Sequence, residues 1–404
     1  MKSIFFLLSI FIQLAAVTAS CGQLSKLTTP DSSIDNGKIS TSVAFDLIDN
    51  RTFIDVKFNG KPFRVLFDSG AGYIITPEVA KALNLKVESA GQEGGVGEKK
   101  VDSGRTYIAD MQIGDLHVKN HEFAVISFAD APNVFGSAQI DGIIGSEVLE
   151  RFVTKVDYEN NRLEFTRPDK FKYTGGGIKF SYTKNGLVPL VNGEIDGVAG
   201  VFGIDTGARS SLLLFGPFTD NNNLRTKYAP KVEGITGWGI GGPVRSQVTR
   251  VKVFKLGSLE FYNVVTRLPL QKSGALTTSK MAGVVGADVL KQFNITFDDS
   301  RREVIFEKNR HFGAADTFDR AGMWIGQTGK IFEVLDVIAG SPAAEAGLKV
   351  GDKILAIDGQ DTEKLLLPEA RLKLKKDAPQ KRVQLLVETN GERRKITITL
   401  RDLV

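Results

Sequence analysis

The sequence predicts a mainly β protein: a duplicated β lobe, then a smaller module with its own pattern. Three observations carry this. Alternating apolar and polar runs, broken by Asn-Gly, Asp-Gly and Gly-rich turns, leave room only for short helices. Residues 53–71, FIDVKFNGKPFRVLFDSGA, align without a gap on residues 190–208, LVNGEIDGVAGVFGIDTGA. Near residue 315 the repeat stops and a different pattern begins. A chain of 404 residues is too long for one ordinary domain. Its hydrophobic content of 42% and charged content of 25% are those of a globular protein.

The chain starts MKSIFFLLSIFIQLAAVTASC, one lysine, an apolar run and then small residues. That layout predicts a secretory signal peptide over 1–20, too short for a convincing spanning helix. The single cysteine, Cys21, excludes an intramolecular disulfide. Its setting resembles a bacterial lipobox, with Thr18 where leucine is usual. The resemblance implies lipidation of Cys21 and an exported lipoprotein of the periplasm or outer membrane. Residues 21–40 are polar and are expected to form a flexible tether.

Within the repeat, Asn59-Gly60 falls on Asp196-Gly197, so each copy opens with a β-hairpin. Each second strand ends in an acid, Asp68 or Asp205. A second matching pair follows: Ile140–Phe165 on Met281–Phe306, with Gly142, Gly145, Val148, Leu149, Phe152, Asp157 and Phe165 identical in both. Lobes are expected over 41–172 and 173–309. Thr76 and Pro77 are expected to start one short helix, and another is expected after Ser146.

Two carboxylates about 3 Å apart do not both ionise cheaply, so they share a proton. The ionised one can take a proton from water while the protonated one donates to a carbonyl. Gly70 and Gly207 would let the two backbones approach, and Ser69 and Thr206 supply hydroxyls to hold the loops. Ile143-Ile144-Gly145 and Val284-Val285-Gly286 would pass beneath the acids.

Apolar-Asp-(Ser/Thr)-Gly-Ala, followed by two apolar residues and glycine, resembles the retropepsin-like aspartic proteases over residues 41 to 309. The resemblance implies a closed, two-lobed, pepsin-like acid protease β-barrel with Asp68 and Asp205 as catalytic residues. Gly70, Ala71, Gly207 and Ala208 complete the two acid loops. Both lobes lie in one chain, so no dimer is required. Gly94, Gly95 and Gly97, with Gly237, Trp238 and Gly239, would be flaps closing on a peptide or protein substrate. Ala71 and Ala208 replace the hydroxyl residue of many pepsin-type enzymes, which implies a working pH nearer neutral.

Other chemistries lack support. A third copy, Asp102-Ser103-Gly104, has no apolar lead-in and is expected to be a turn. GWGIGG, 237–242, precedes a strand-like run, which excludes a dinucleotide loop. His117 and His121 sit in strand-like sequence with no third ligand, so no metal or cofactor is expected. The net charge of +5 is spread out, and the run at Lys373, Lys375 and Lys376 is expected to be a solvated helix face. No nucleic-acid partner is expected.

GSPAAEAGLKVGDKILAIDG, 340–359, resembles PDZ domains of bacterial proteases, and the likeness covers 315–404. It implies binding of a C-terminal peptide by strand addition. Gly322, Met323, Trp324, Ile325 and Gly326 are the candidate carboxylate loop, and LLLPEARLKLKK the groove helix. The competing expectation is a non-catalytic peptide-binding or scaffold lipoprotein.

Overall fold

The computed structural model describes residues 31–129, 135 and 138–404. The expected signal peptide and Cys21 lie outside the described residues. Strands dominate, as the alternation predicts.

Each lobe is built around its hairpin. In the first, Arg51–Phe58 pairs with Lys61–Asp68 through a turn in which Asn59 and Gly60 take φ of 49° and 80°. In the second, Val188–Ile195 pairs with Val198–Ile204, and Asp196 and Gly197 take φ of 44° and 87°. Left-handed conformations at both central residues twist the turn with the strands, which Asn-Gly and Asp-Gly allow. The strand Gly142–Gly145 lies parallel to Lys61–Asp68, with Gly145 opposite Asp68. Gly283–Val285 repeats this beside Val198–Ile204.

A six-stranded sheet joins the lobes. At its centre Val153–Asp157 pairs antiparallel with Phe293–Asp298, its own counterpart in the other repeat. The repeated aspartates brace the turns that follow these strands. Asp157 accepts the N–H groups of Glu159 and Asn160, and Asp298 accepts that of Arg301. One apolar core runs through both lobes, including Phe67, Ile144, Phe165, Ile204, Phe297 and Phe306.

The C-terminal module has its own sheet and core. Met323–Thr328, Ile331–Val337, Lys353–Ile357, Arg382–Thr389 and Glu392–Thr399 form its main path. Ser341 caps the helix Pro342–Glu345 by accepting the Ala344 N–H.

Four expectations need correction. Residues 31–40 are not a tether: Ser32–Ile34 adds a strand beside Leu116–Ile126, and Ser40–Ala44 joins the inter-lobe sheet. Asp102-Ser103-Gly104 is not a turn but part of the strand Val101–Ile113. There Gly104 is needed because a Cβ would stand 2.4 Å from Val87. The helix over LLLPEARLKLKK starts at Leu367, since Pro368 favours its first turn. The lysine run is not simply solvated: Lys375 is half-buried and pairs with Asp288 of the second lobe, 2.6 Å away.

Candidate active site

The strands end where they do because the two acid loops lock into each other. The Ser69 N–H donates to the Thr206 hydroxyl at 2.9 Å, and the Thr206 N–H donates to the Ser69 hydroxyl at 3.0 Å. Each hydroxyl then donates across the lobe boundary, Ser69 to the Ile204 carbonyl and Thr206 to the Phe67 carbonyl. Both side chains are fully buried, so these bonds have no water to replace them. Thr206→Ala is expected to cost about 1 to 3 kcal/mol, because it orphans the Ser69 N–H. Urea midpoints would check this, with Thr206→Ser retaining most of the stability.

The interlock brings Asp68 and Asp205 face to face. The Gly70 N–H donates to Asp68 at 2.7 Å; those of Gly207 and Ala208 donate to Asp205 at 2.9 and 3.1 Å. A Cβ on Gly207 would stand 2.1 Å from Asp68 Oδ2, so only glycine admits this approach. Gly145 runs so close beneath that a Cβ would overlap the Asp68 carbonyl. Burial, and then the negative charge of Asp205, push Asp68 well above the usual carboxylate range. Burial also raises Asp205, against the N–H groups of Gly207 and Ala208 and the hydrogen bond from Asp68. With both carboxyls raised by burial and facing each other, the pair titrates as a unit and favours a state that shares one proton.

The acids form the floor of a cleft of about 830 Å³. Gly-rich segments from both lobes roof it. The Gly97 N–H donates to the Ile240 carbonyl and the Lys99 N–H to the Gly241 carbonyl, each at 3.0 Å. Gly94, Gly95, Gly237, Trp238 and Gly239 all line this space. A proton-sharing carboxylate pair beneath a roofed cleft of this size suits hydrolysis of a peptide bond.

Comparison with known proteins agrees. Residues 54–148 match the aspartyl protease family, and residues 333–389 match the PDZ domain family. The chain carries an aspartyl protease domain followed by a PDZ domain. The first match spans Asp68 and ends in the first lobe; Asp205 rests on the repeat and on the geometry. The carboxyl-terminal-processing protease of Synechocystis sp. is 54% identical over 43 residues, which is 11% of this chain. The chain spans about 10% of that relative's length.

Sequence reasoning missed the charges that tie the PDZ domain to the protease domain. Asp49 is buried among three guanidinium groups: Arg51 at 3.2 Å, Arg209 at 2.6 Å and Arg371 at 3.1 Å. Burial pushes its carboxyl up, but Arg209, Arg371 and Arg51 outweigh that and hold it below its ordinary value. Arg51 also donates to the Gly207 carbonyl at 3.3 Å, beside the acid pair. Arg371 comes from the PDZ helix Leu367–Lys376, and the Trp324 ring carries both Arg209 and Arg371 at 4.9 Å from its centroid. Asp336 of the PDZ sheet accepts the N–H of Ile235 and a bond from Arg245, both on flap strands of the second lobe.

The expected carboxylate loop already faces a carboxylate. Asp319 accepts the N–H groups of Ala321, Gly322 and Met323 at 2.8 to 3.1 Å. Burial pushes its own carboxyl up to about 6 against these bonds. Trp324, Ile325 and Gly326 belong to the following strand, and Arg371 bridges from the helix to the Ile325 carbonyl at 2.6 Å. His117 and His121, by contrast, are structural. His117 bonds Asp110 and Asp35, and His121 packs on Tyr73.

Proposed function

We propose that the chain is an aspartic endopeptidase that hydrolyses peptide bonds with water activated between Asp68 and Asp205. The observation that supports this is that two buried carboxylates from matching places in a repeat meet at the locked junction of their loops and line one roofed cleft. In the proposed step the ionised Asp205 takes a proton from water. The water oxygen bonds to the scissile carbonyl carbon while Asp68 gives its proton to the carbonyl oxygen. The tetrahedral intermediate then breaks its C–N bond. Asp205 returns a proton to the leaving nitrogen, and one hydroxyl proton goes back to Asp68. The Gly-rich segments would open to admit the peptide and close to exclude water.

The PDZ domain is proposed to brace the protease domain in place of capturing a free terminus. Asp319 and Arg371 occupy the positions a peptide carboxylate and backbone would need, and Arg371 is also a tie to Asp49. The N-terminal residues support export and a lipid anchor at Cys21 as a further part of this proposal.

A hydroxyl-bearing transition-state mimic tests the chemistry. It should inhibit cleavage at least a hundredfold more tightly than the matching substrate peptide binds. Equal inhibition constants for the mimic and for its analogue without the hydroxyl would count against the dyad.

A further inference from the structure

The charge of the cleft is one-sided. Among the described residues that line it, the only acids are Asp68 and Asp205, whereas Arg51, Lys99, Lys100, Arg209, Arg267 and Lys280 are basic. Arg51 and Arg209 are both paired with Asp49, which they share with Arg371. Lys99, Lys100 and Lys280 are exposed at the rim.

Arg267 differs from all of these. It is only 8% exposed, yet its Nε and Nη1 meet no hydrogen-bond partner. It lies on the strand Leu259–Pro269 opposite Leu213, which lines the same side of the cleft. Two acids lie in its surroundings, and neither pairs with it. Asp288 is held by Lys291 and Lys375. Asp316 accepts the Val265 N–H with one oxygen, and burial, with the charge of Asp288, raises its carboxyl toward the neutral form. Burial pulls Arg267 down to about 10, and the charges of Asp288 and Asp316 offset this only in part; its guanidinium otherwise lies 5.9 Å over the Phe318 ring. A guanidinium held this way has given up water without gaining an acceptor, which is costly unless a ligand supplies one.

We infer that the second-lobe side of the cleft is an acid-accepting subsite with Arg267 at its base, so that the preferred substrates carry an aspartate or glutamate near the scissile bond. This deepens the endopeptidase reading and rests on it. A carboxylate can meet the planar guanidinium with two parallel bonds. The matching amide offers one acceptor and leaves a donor against a donor. Sites that hydrogen-bond a substrate group reject analogues lacking it far more strongly than apolar pockets do. The basic rim would also draw acidic peptides toward the cleft.

The test uses the chain from Gly22 onward and peptide pairs differing only as Asp/Asn or Glu/Gln at each position around the cut. At one position the acid should raise kcat/KM by about 10- to 100-fold over its amide, the range of a hydrogen bond to a charged group. Arg267→Met should bring that ratio to near 1, whatever its absolute rates. Should Arg267→Met not fold, Arg267→Lys decides: a point charge without the planar fork should cut the ratio several-fold. Ratios near 1 at every position in the wild type, or an unchanged ratio in the variant that folds, would overturn the subsite and leave the dyad standing. No cleavage that Asp205→Asn abolishes would remove the endopeptidase reading, and this subsite with it.

Discussion

Replacing either Asp68 or Asp205 with asparagine is expected to lower kcat/KM by about three orders of magnitude or more, without a loss of stability. The two effects have one cause. In Asp68→Asn the amide would keep the shape and accept the Gly70 N–H, but it has no acid proton to give. In Asp205→Asn the amide would keep the bonds from Gly207 and Ala208, but it is no base. Both wild-type carboxyls are raised by burial, and Asp68 also by the charge of its partner. A carboxyl raised in the folded state adds stability that is fully present below its unfolded pKa near 4 and is lost as pH rises through its folded pKa. The asparagine variants lack that loss. Their melting temperatures should meet or exceed the wild-type value at pH 7, with the difference shrinking toward pH 4. Calorimetry beside the cleavage assay separates this from simple unfolding, in which activity and melting temperature fall together.

Asp49→Ala is expected to do the opposite, lowering stability and activity together. Its carboxylate is the shared counter-ion of Arg51, Arg209 and Arg371. Removing one partner of a buried ion pair leaves uncompensated charge, typically at a cost of about 3 to 5 kcal/mol. Here the guanidinium groups left behind also repel one another. Arg371 would lose its tie to the protease domain, and Arg51 its anchor beside the acid pair. Denaturant midpoints should show the fall. Asp49→Asn, which keeps an acceptor but not the charge, should fall between the wild type and the alanine variant. A neutral result for Asp49→Ala would mean that the PDZ domain docks without this cluster.

The parts of the site visible in the sequence are local or repeated. The hairpin turns, the acids at the strand ends and the parallel strand beneath them recur in both copies, and each needs only a short stretch to be recognised. The same alignment points to the Ser69 and Thr206 hydroxyls as loop supports, but that each takes the N–H of the other across the lobe boundary is visible only in the structure. The cluster around Asp49 has no such signature. Its bond to Arg371 joins residues 322 positions apart, and no spacing rule links them. The same holds for Lys375, whose pairing with Asp288 depends on how the PDZ helix meets the second lobe. Arg267 carries no motif that marks it in the sequence, and its burial depends on the elements packed around it. Asp102-Ser103-Gly104 misleads for a related reason. Glycine there answers to Val87, packed against it from the neighbouring segment, and not to a turn.

The most direct measurement of a shared proton is kcat/KM of the wild type across pH 3 to 9 on one peptide. One carboxylate must be ionised and the other protonated, so the profile should be bell-shaped. Its acid limb falls as the pair takes up a second proton, and its alkaline limb falls as the shared proton leaves. Because Asp68 is raised well above the ordinary carboxylate range, the alkaline limb should lie well above pH 4. A rate that only climbs with pH and levels off, with no alkaline descent, would contradict the account.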